Sequence, residues 1–323
     1  MPVELTNEQR RQLIDVQQAF DAWHTSHKKA RGHMRWLTRR GSDYLHHKIG
    51  QVERSRGRRS KDTEALMTEH KAARERTKKT RARLTGMARV NRALRLNRVP
   101  HDAVRVLRAL DEAGLLGNNL FVIGTNALYA YEVRSGVLFD SGLLATTDFD
   151  LLWDAKDRLR LADSKITPEG VLGVLKQADP TYSSGDDFGF RARNADGYSV
   201  DLFCPDIEPP PKRLAAADID PIPTEGGDWL AEAPKFESMV IGQDGMPAPM
   251  VCVDPRIFAL HKLWLSKQPS RQPASRPRDA QQARAVAGVA TQYLNLKFDR
   301  RLLKRLPPML AAGIDTLKDA RIE

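Results

Sequence analysis

Asp148 and Asp150 sit two residues apart in the run Thr147-Asp148-Phe149-Asp150-Leu151-Leu152-Trp153, two acids set into an otherwise apolar stretch. That composition predicts a strand, and a strand's period of two puts both carboxylates on one face, about 7 Å apart along the chain. Acids held side by side repel each other and cost free energy unless a cation lies between them. Oxygen-only ligands of this kind suit Mg²⁺ or Mn²⁺ better than zinc. A third acid, Asp201, lies in the alternating run Tyr198 to Phe203. The preceding Phe188–Arg193 and the turn Asn194-Ala195-Asp196-Gly197 predict a hairpin that brings Asp201 beside the first two. Upstream, the apolar Leu120–Ile123 stops at Gly124, and a helical pattern follows with Ala127, Leu128, Tyr131 and Val133 as its apolar residues. A strand, a tight glycine turn and a helix start aim backbone N–H groups at an anion. Three strand-borne carboxylates with such a turn are the equipment of two-metal phosphoryl or nucleotidyl transfer.

The segments GTNALYAYE, TTDFDLLWD and GYSVDL carry these residues in that order. In them the chain resembles the DNA polymerase β-type nucleotidyltransferase superfamily, whose signature is glycine with a small hydroxyl residue, then hDhDh, then a later hDh. It is similar, more closely, to a bacterial branch of nucleotidyltransferase-fold proteins with a basic helical N-terminus. The motifs cover roughly residues 97–205. The resemblance implies that Asp148 and Asp150 bind both of two Mg²⁺ or Mn²⁺ ions. It implies that Asp201 binds the catalytic metal and polarises the attacking hydroxyl. Gly124, Thr125 and Asn126 would then hold the nucleotide, with an NTP as substrate. Related nucleotidyltransferases carry a helix lysine that meets the triphosphate, then a basic loop leading into Arg/Lys-Asp. Lys262 in LHKLW and Arg278-Asp279 in RPRDAQQA fit that order; the bland reading is a snorkelling lysine and a helix-capping acid. Two departures bear on triphosphate binding: the usual Gly-Ser is Gly124-Thr125, and twenty-two residues lie between Thr125 and Asp148.

The elements that must position these residues follow from periodicity. Val104–Leu116 predicts a helix feeding the first strand, and Thr167-Pro168-Glu169 caps and opens a helix to about Gln177. Residues 205–234 are proline-rich and read as a linker or surface loop. Asp218-Ile219-Asp220 repeats the Asp-x-Asp spacing there, among prolines with no apolar strand around it, and reads as a solvated pair. Strands near 236–241 and 250–253 precede a helix opened by Pro255, with Ile257, Leu260, Leu263 and Trp264 on its apolar side. A basic loop, 267–277, and helices near 279–294 and 298–312 complete the pattern.

At the other end, residues 6–23 predict a helix with Leu13, Val16, Phe20 and Trp23 at helical spacing and Thr6 as its cap. Residues 24–48 are basic with interleaved rings, and Trp36, Leu37, Tyr44 and Leu45 read as the core side of a second helix. Residues 54–61, RSRGRRSK, read as a charged loop, and 62–96 as a long helix with few apolar positions. Within it Lys78, Lys79, Arg81 and Arg83 follow Glu75 with no further acid, which ordinary solubility does not require. They are candidate nucleic-acid contacts.

The charge is unevenly placed. Residues 1–100 hold 25 Lys and Arg against 10 Asp and Glu, a balance of +15, whereas the remaining residues hold 27 against 31, or −4. That asymmetry points to a polyanionic partner. Cys204 and Cys252 lie in apolar runs and read as reduced core residues of a cytoplasmic protein. No apolar run approaches the ~20 residues that span a bilayer. His24/His27 and His46-His47 lack Cys or acidic partners at zinc-ligand spacing.

The expected fold is therefore α/β, of the α+β nucleotidyltransferase type, with a small mixed sheet carrying the acids and helical regions at both ends. Its expected parts are a basic helical region over 1–98, a catalytic core over 99–205, a proline-rich linker with added strands over 206–254 and a helical region over 255–323. The expected reaction is NMP transfer from an NTP to an acceptor hydroxyl, RNA or even a tRNA end, with release of pyrophosphate. Two other readings stand beside it: nucleotidylation of a protein or small molecule, and a non-catalytic nucleic-acid-binding protein that keeps the fold.

Overall fold

The computed structural model describes residues 3–50, 52–154, 170–184, 189–206, 218–299 and 306–321. The chain forms two compact units, one of residues 11–96 with 245–247, the other of residues 1–10, 97–244 and 248–323.

After a two-residue strand, β1 (Val3–Glu4), comes helix α1 (Asn7–Ala30). Its start is a reciprocal cap: the Gln9 amide donates to Thr6 Oγ1 at 3.2 Å while the Thr6 amide donates to Gln9 Oε1 at 2.8 Å. Next come three antiparallel strands in sequential order, β2 (His33–Arg39), β3 (Ser42–Ile49) and β4 (Val52–Arg58), and then the long helix α2 (Lys61–Ala93). Val16, Phe20, Leu45, Met67 and Leu84 are among the buried side chains of this unit.

The expected second helix over 24–48 is thus corrected: α1 runs on to Ala30, and the rings lie on strands. Trp36 pairs across to Leu45 and Leu37 to Tyr44. Arg39 pairs with Ser42 across a two-residue turn, Arg40-Gly41, in which both residues have positive φ (49° and 74°). That is the type I′ turn whose twist matches antiparallel strands. The expected charged loop 54–61 is corrected likewise, since most of it pairs with β3 as an exposed edge strand. Arginine is at home on such an edge, where charge discourages pairing with another chain.

The second unit begins with α3 (His101–Ala113), whose buried Val104, Leu107 and Leu110 feed into the fully buried strand β5 (Leu120–Val122). Gly124 turns the chain into α4 (Leu128–Ser135). A short strand β6 (Val137–Leu138) pairs with β1, and the single turn α5 (Ser141–Leu144) leads into β7 (Asp148–Trp153). Helix α6 (Gly170–Ala178), strands β8 (Ser183–Ser184), β9 (Arg191–Arg193) and β10 (Ser199–Cys204) come next. The expected Thr167 cap lies outside the described residues. Strand β11 (Ile222–Pro223), helix α7 (Gly227–Glu232) and strands β12 (Lys235–Ile241) and β13 (Pro247–Val253) follow. Helices α8 (Pro255–Leu265) and α9 (Arg276–Gln292) pack on one another, followed by the short α10 (Pro308–Ala311) and α11 (Ile314–Leu317).

The strands make one mixed sheet in the order β12-β13-β5-β7-β10-β9-β8, with β11 beside the end of β10. This helix-covered mixed sheet is the α/β architecture expected. β7 is central, antiparallel to β5 and parallel to β10. Its Phe149, Leu151 and Leu152 are fully buried. Tyr131, also fully buried, donates from its hydroxyl to the Val253 carbonyl at 2.8 Å and so ties α4 to β13. Glu132, 2% exposed, takes the Arg98 guanidinium at 2.8 and 3.2 Å and the Phe139 amide at 2.7 Å. Cys204 and Cys252 are free and buried. No helix among the described residues is long and apolar enough to cross a membrane.

Asp218, read from sequence as solvated, is buried instead. Its carboxylate accepts the Val171 and Leu172 amides at 2.9 and 2.8 Å, the unpaired N–H groups at the start of α6. A nonlocal acid therefore caps this helix, with its charge set against the positive end of the helix dipole. A Cβ at Gly170, which has φ +66°, would meet Asp218 Oδ2 at 1.9 Å, so the glycine is what lets the acid in. Asp218→Ala is expected to lower stability by about 1–2 kcal/mol, with Asp218→Asn recovering part of that. Thermal or denaturant unfolding of the three proteins checks it; equal stabilities would contradict the capping role.

Candidate active site

The register of the β7/β10 ladder assembles the acids. Asp201 pairs directly with Asp150 in the parallel ladder, and Ser199 with Asp148. Because side chains of paired residues share a face, the three carboxylates converge, and one oxygen from each lies within 4.8 Å of the others. Asp201 is buried, while Asp148 and Asp150 are half-buried. The Asp150 carboxyl is pushed up to about 7, first by burial and then by the Asp148 carboxylate, against the pull of Lys262. Thr146 Oγ1 donates to Asp148 Oδ1 and fixes that side chain.

The glycine turn is built against the same acid. The Ile123 amide donates to the Asp150 carbonyl at 3.0 Å, extending the β5/β7 pairing by one residue. Gly124 then takes φ +67°, and a Cβ there would sit 1.9 Å from Asp150 Oδ2. Only glycine combines that backbone with that approach. Asn126, 1% exposed, reaches from the turn to the Asp148 carbonyl with its Nδ2 at 2.8 Å. Thr125 and Asn126 are both buried, and Thr125 Oγ1 accepts from Arg278 Nη2 at 3.2 Å and Gln282 Nε2 at 3.3 Å.

Cations surround the acids. Lys262, 7% exposed, is ion-paired to Asp279 at 2.8 Å. Arg271 reaches the same carboxylate with Nε at 2.7 Å and Nη2 at 3.3 Å. Burial works to raise the Asp279 carboxyl, and Lys262 and Arg271 outweigh it, holding it below the ordinary carboxylate range. Lys262 and Arg271 both act on Asp150 as well, so the two residues singled out in sequence, Lys262 and Asp279, lie together beside the acids. Asp279 faces the cations and holds them. On the opposite side Arg191, paired with Asp201 in the β9/β10 ladder, takes both its oxygens at 2.7 and 2.5 Å. Those bonds, with the nearby Asp148 and Asp150, raise the Arg191 guanidinium above its usual value. A carboxylate offers about four lone-pair sites, so a bidentate arginine orients Asp201 and leaves sites open.

Sequence reading missed Arg191, Arg271 and Gln282, and noted Arg278 only as the basic partner of Asp279 in the Arg/Lys-Asp pair. Arg191 was within reach: the hairpin turn 194–197 that places Asp201 also sets Arg191 across from it. Arg271 lies in the basic loop and carries no periodic signal. Lys78, Lys79, Arg81 and Arg83 all lie exposed on α2, in the other unit.

A nucleotidyltransferase family matches residues 101–306, most of the chain, and the chain belongs to that family. Its activity class is accordingly nucleotidyl transfer. Among solved structures, the chain is similar to an antigenic nucleotidyltransferase-like protein from Paracoccidioides brasiliensis, at 16% identity and a TM-score of 0.32, over 69% of this chain and 94% of that one. Comparison with the curated proteins finds no match.

The raised Asp150 carboxyl makes a signed prediction. Its folded value lies above the ordinary value of about 3.9, so the folded state keeps a proton that the unfolded state releases. The associated stability is fully present below pH ~4 and is lost as pH rises through ~7. In chelator, the melting temperature is therefore expected to fall more between pH ~5 and ~8 in the wild type than in Asp150→Asn. Parallel profiles would contradict the assignment. Gly124→Ala is expected to cost about 2 kcal/mol or more, from positive φ and the Asp150 contact combined, read by the same melts.

Proposed function

We propose that the chain moves an NMP unit from an NTP to an acceptor hydroxyl, aided by two Mg²⁺ or Mn²⁺ ions, and that the acceptor is RNA. The observation that carries the first part is the convergence of Asp148, Asp150 and Asp201 from paired strands. The donor set fits the ions: all ligands are carboxylate oxygens, and the Asp150 carboxyl is raised first by burial and then by the Asp148 and Asp201 carboxylates, a repulsion that a divalent cation relieves. Asp148 and Asp150 would hold both ions and Asp201 one. Bound there, such ions neutralise phosphate charge and favour the ionised acceptor.

The chain's own residues do the rest. The Gly124 turn offers backbone N–H groups to the triphosphate, and Lys262, held by Asp279, adds positive charge to the same region. Arg191 fixes the orientation of Asp201, which polarises the attacking hydroxyl. In the transfer the acceptor oxygen bonds to the α-phosphorus and the bond from that phosphorus to the bridging oxygen breaks. Pyrophosphate leaves with the electron pair, and the hydroxyl proton passes to Asp201 or to solvent. Positioning and charge stabilisation account for most of the catalysis in such reactions.

The RNA reading rests on α2. Residues 11–96 hold 23 Lys and Arg against 8 Asp and Glu. By the 100° step of the helix, Lys71, Arg74, Lys78, Arg81, Arg89 and Arg92 fall within a sector of about 80°, along a line about 30 Å long. All six are exposed. Lys79 and Arg83 belong to a second line with Arg76. An extended row of exposed cations free of acids suits a phosphate backbone.

Incubation of the protein with each labelled NTP, Mg²⁺ and total RNA tests the proposal. Label is expected in RNA, with a loss of at least about 10³-fold in Asp148→Asn or Asp201→Asn. Label in protein, with none in RNA, would favour the protein-modifying reading; near-normal turnover in either variant would overturn the metal site. Replacing Lys71, Arg74, Lys78 and Arg81 by Gln is expected to reduce the slope of log affinity for RNA against log salt by about 3, at roughly 0.7 to 0.9 for each phosphate no longer neutralised. NTP affinity should be unchanged. An unchanged slope removes this stripe from the interface.

A further inference from the structure

A second cationic feature lies within the unit that carries the acids. A cavity of about 940 Å³ is lined by four arginines, Arg98, Arg278, Arg284 and Arg321, together with the α5 turn and Gln281. The charges do not cancel. Arg98 is neutralised by the buried Glu132. Asp140, an acid on the lining, accepts the Gly142 amide at 2.7 Å as the cap of α5. Among the described residues no carboxylate pairs with Arg278, Arg284 or Arg321. Arg284 and Arg321 are exposed, and Arg278 is half-buried with its Nε shielded from solvent and without an acceptor.

Three guanidinium groups around one cavity repel each other, and a buried N–H without an acceptor leaves a hydrogen bond unmade. One ligand removes both deficits: an anion with several charges and several acceptor oxygens. Guanidinium forks match phosphate oxygens two at a time, and a cavity of this size exceeds what a single halide or carboxylate fills. Arg278 also donates to Thr125 Oγ1, so the cavity adjoins the Gly124 turn through one side chain. We propose that this cavity is a phosphate-binding site distinct from the three acids, for a polyphosphate tail or a terminal phosphate monoester. Assigning that phosphate to a reactant rests on the nucleotidyl-transfer reading; the binding of phosphate itself does not.

Calorimetric titration of the full chain with inorganic tripolyphosphate, in chelator, tests it. The Arg284→Gln/Arg321→Gln double variant is expected to bind about a hundredfold more weakly, about tenfold for each charge-assisted pair removed. Arg39→Gln/Arg58→Gln, which removes the same net charge from the other unit, should bind as the wild type does. Circular dichroism melts establish that both variants are folded; the substituted arginines are exposed. Unchanged binding in the first variant, or an equal loss in the second, overturns the site. The source is decided by ATP and by an oligonucleotide with or without a 5′-phosphate. A loss confined to ATP assigns the cavity to the triphosphate, and a loss confined to the 5′-phosphorylated strand assigns it to the acceptor. Binding of all three that is indifferent to the substitutions overturns the proposal. Asp148→Asn separates the two readings: if it binds tripolyphosphate normally while the wild type transfers no nucleotide, only the transfer reading falls.

Discussion

Three carboxylates held within 4.8 Å of one another are a local source of repulsion, and much of the second unit serves to withstand it. Asp150 shows the effect, since burial first and then the Asp148 and Asp201 charges push its carboxyl up to about 7 although Lys262 and Arg271 pull it down. A loop would relieve such repulsion by moving apart. Here the acids stand on β7 and β10, which are hydrogen-bonded in register over five residue pairs and backed by Phe149, Leu151 and Leu202, all fully buried. To separate the acids the ladder must break and that core must open. The stability of the sheet is what keeps the charges together, and a rigid scaffold with a strained centre is the arrangement expected of a site that meets cations.

Lysine and arginine are used in two different ways. Near the acids they are partly or largely buried and held one by one: Arg191 by Asp201, Lys262 and Arg271 by Asp279. Each is fixed in direction, as a small reacting group requires. On α2 the cations are exposed and spread along a helix. The net charge of +11 therefore hides an uneven distribution, since residues beyond 100 sum to −4.

The site was largely legible in sequence and the basic unit was not. Asp148, Asp150 and Asp201 announced themselves because an acid in an apolar alternating run has few structural explanations, and the hairpin before Asp201 set its register. Gly124 was legible as a turn, though its close approach to Asp150 was not, because the contact joins residues from different strands. Trp36, Leu37, Tyr44 and Leu45 misled through their spacing, which fits a helix as well as a hairpin. The decisive signal was Arg40-Gly41, a two-residue turn that needs positive φ at both positions and was masked by the surrounding charge. Asp218 misled in the opposite direction: it lies in a proline-rich stretch with no alternating apolar run, but its partners are the amides of a helix 46 and 47 residues earlier. Nonlocal capping leaves no mark on local composition.

The first turns of α9 show how one element gathers these separate parts. Residues four apart on a helix share a face and adjacent residues diverge by about 100°. Arg278 and Gln282 accordingly reach the same atom, Thr125 Oγ1, on one side. Asp279, next in sequence, points elsewhere and collects Lys262 from α8 and Arg271 from the loop between the helices. Gln282 also donates to the Leu143 carbonyl at 2.7 Å, just before the strand that bears Asp148 and Asp150. A single rigid helix thus fixes the hydroxyl side of the glycine turn, the lysine beside the acids and the entry to the acid strand in one frame. A shift of α9 would move all three together. That coupling gives the segment RPRDAQQA a physical reason to begin a helix where it does: the spacing of its polar residues matches the spacing of the groups it must hold.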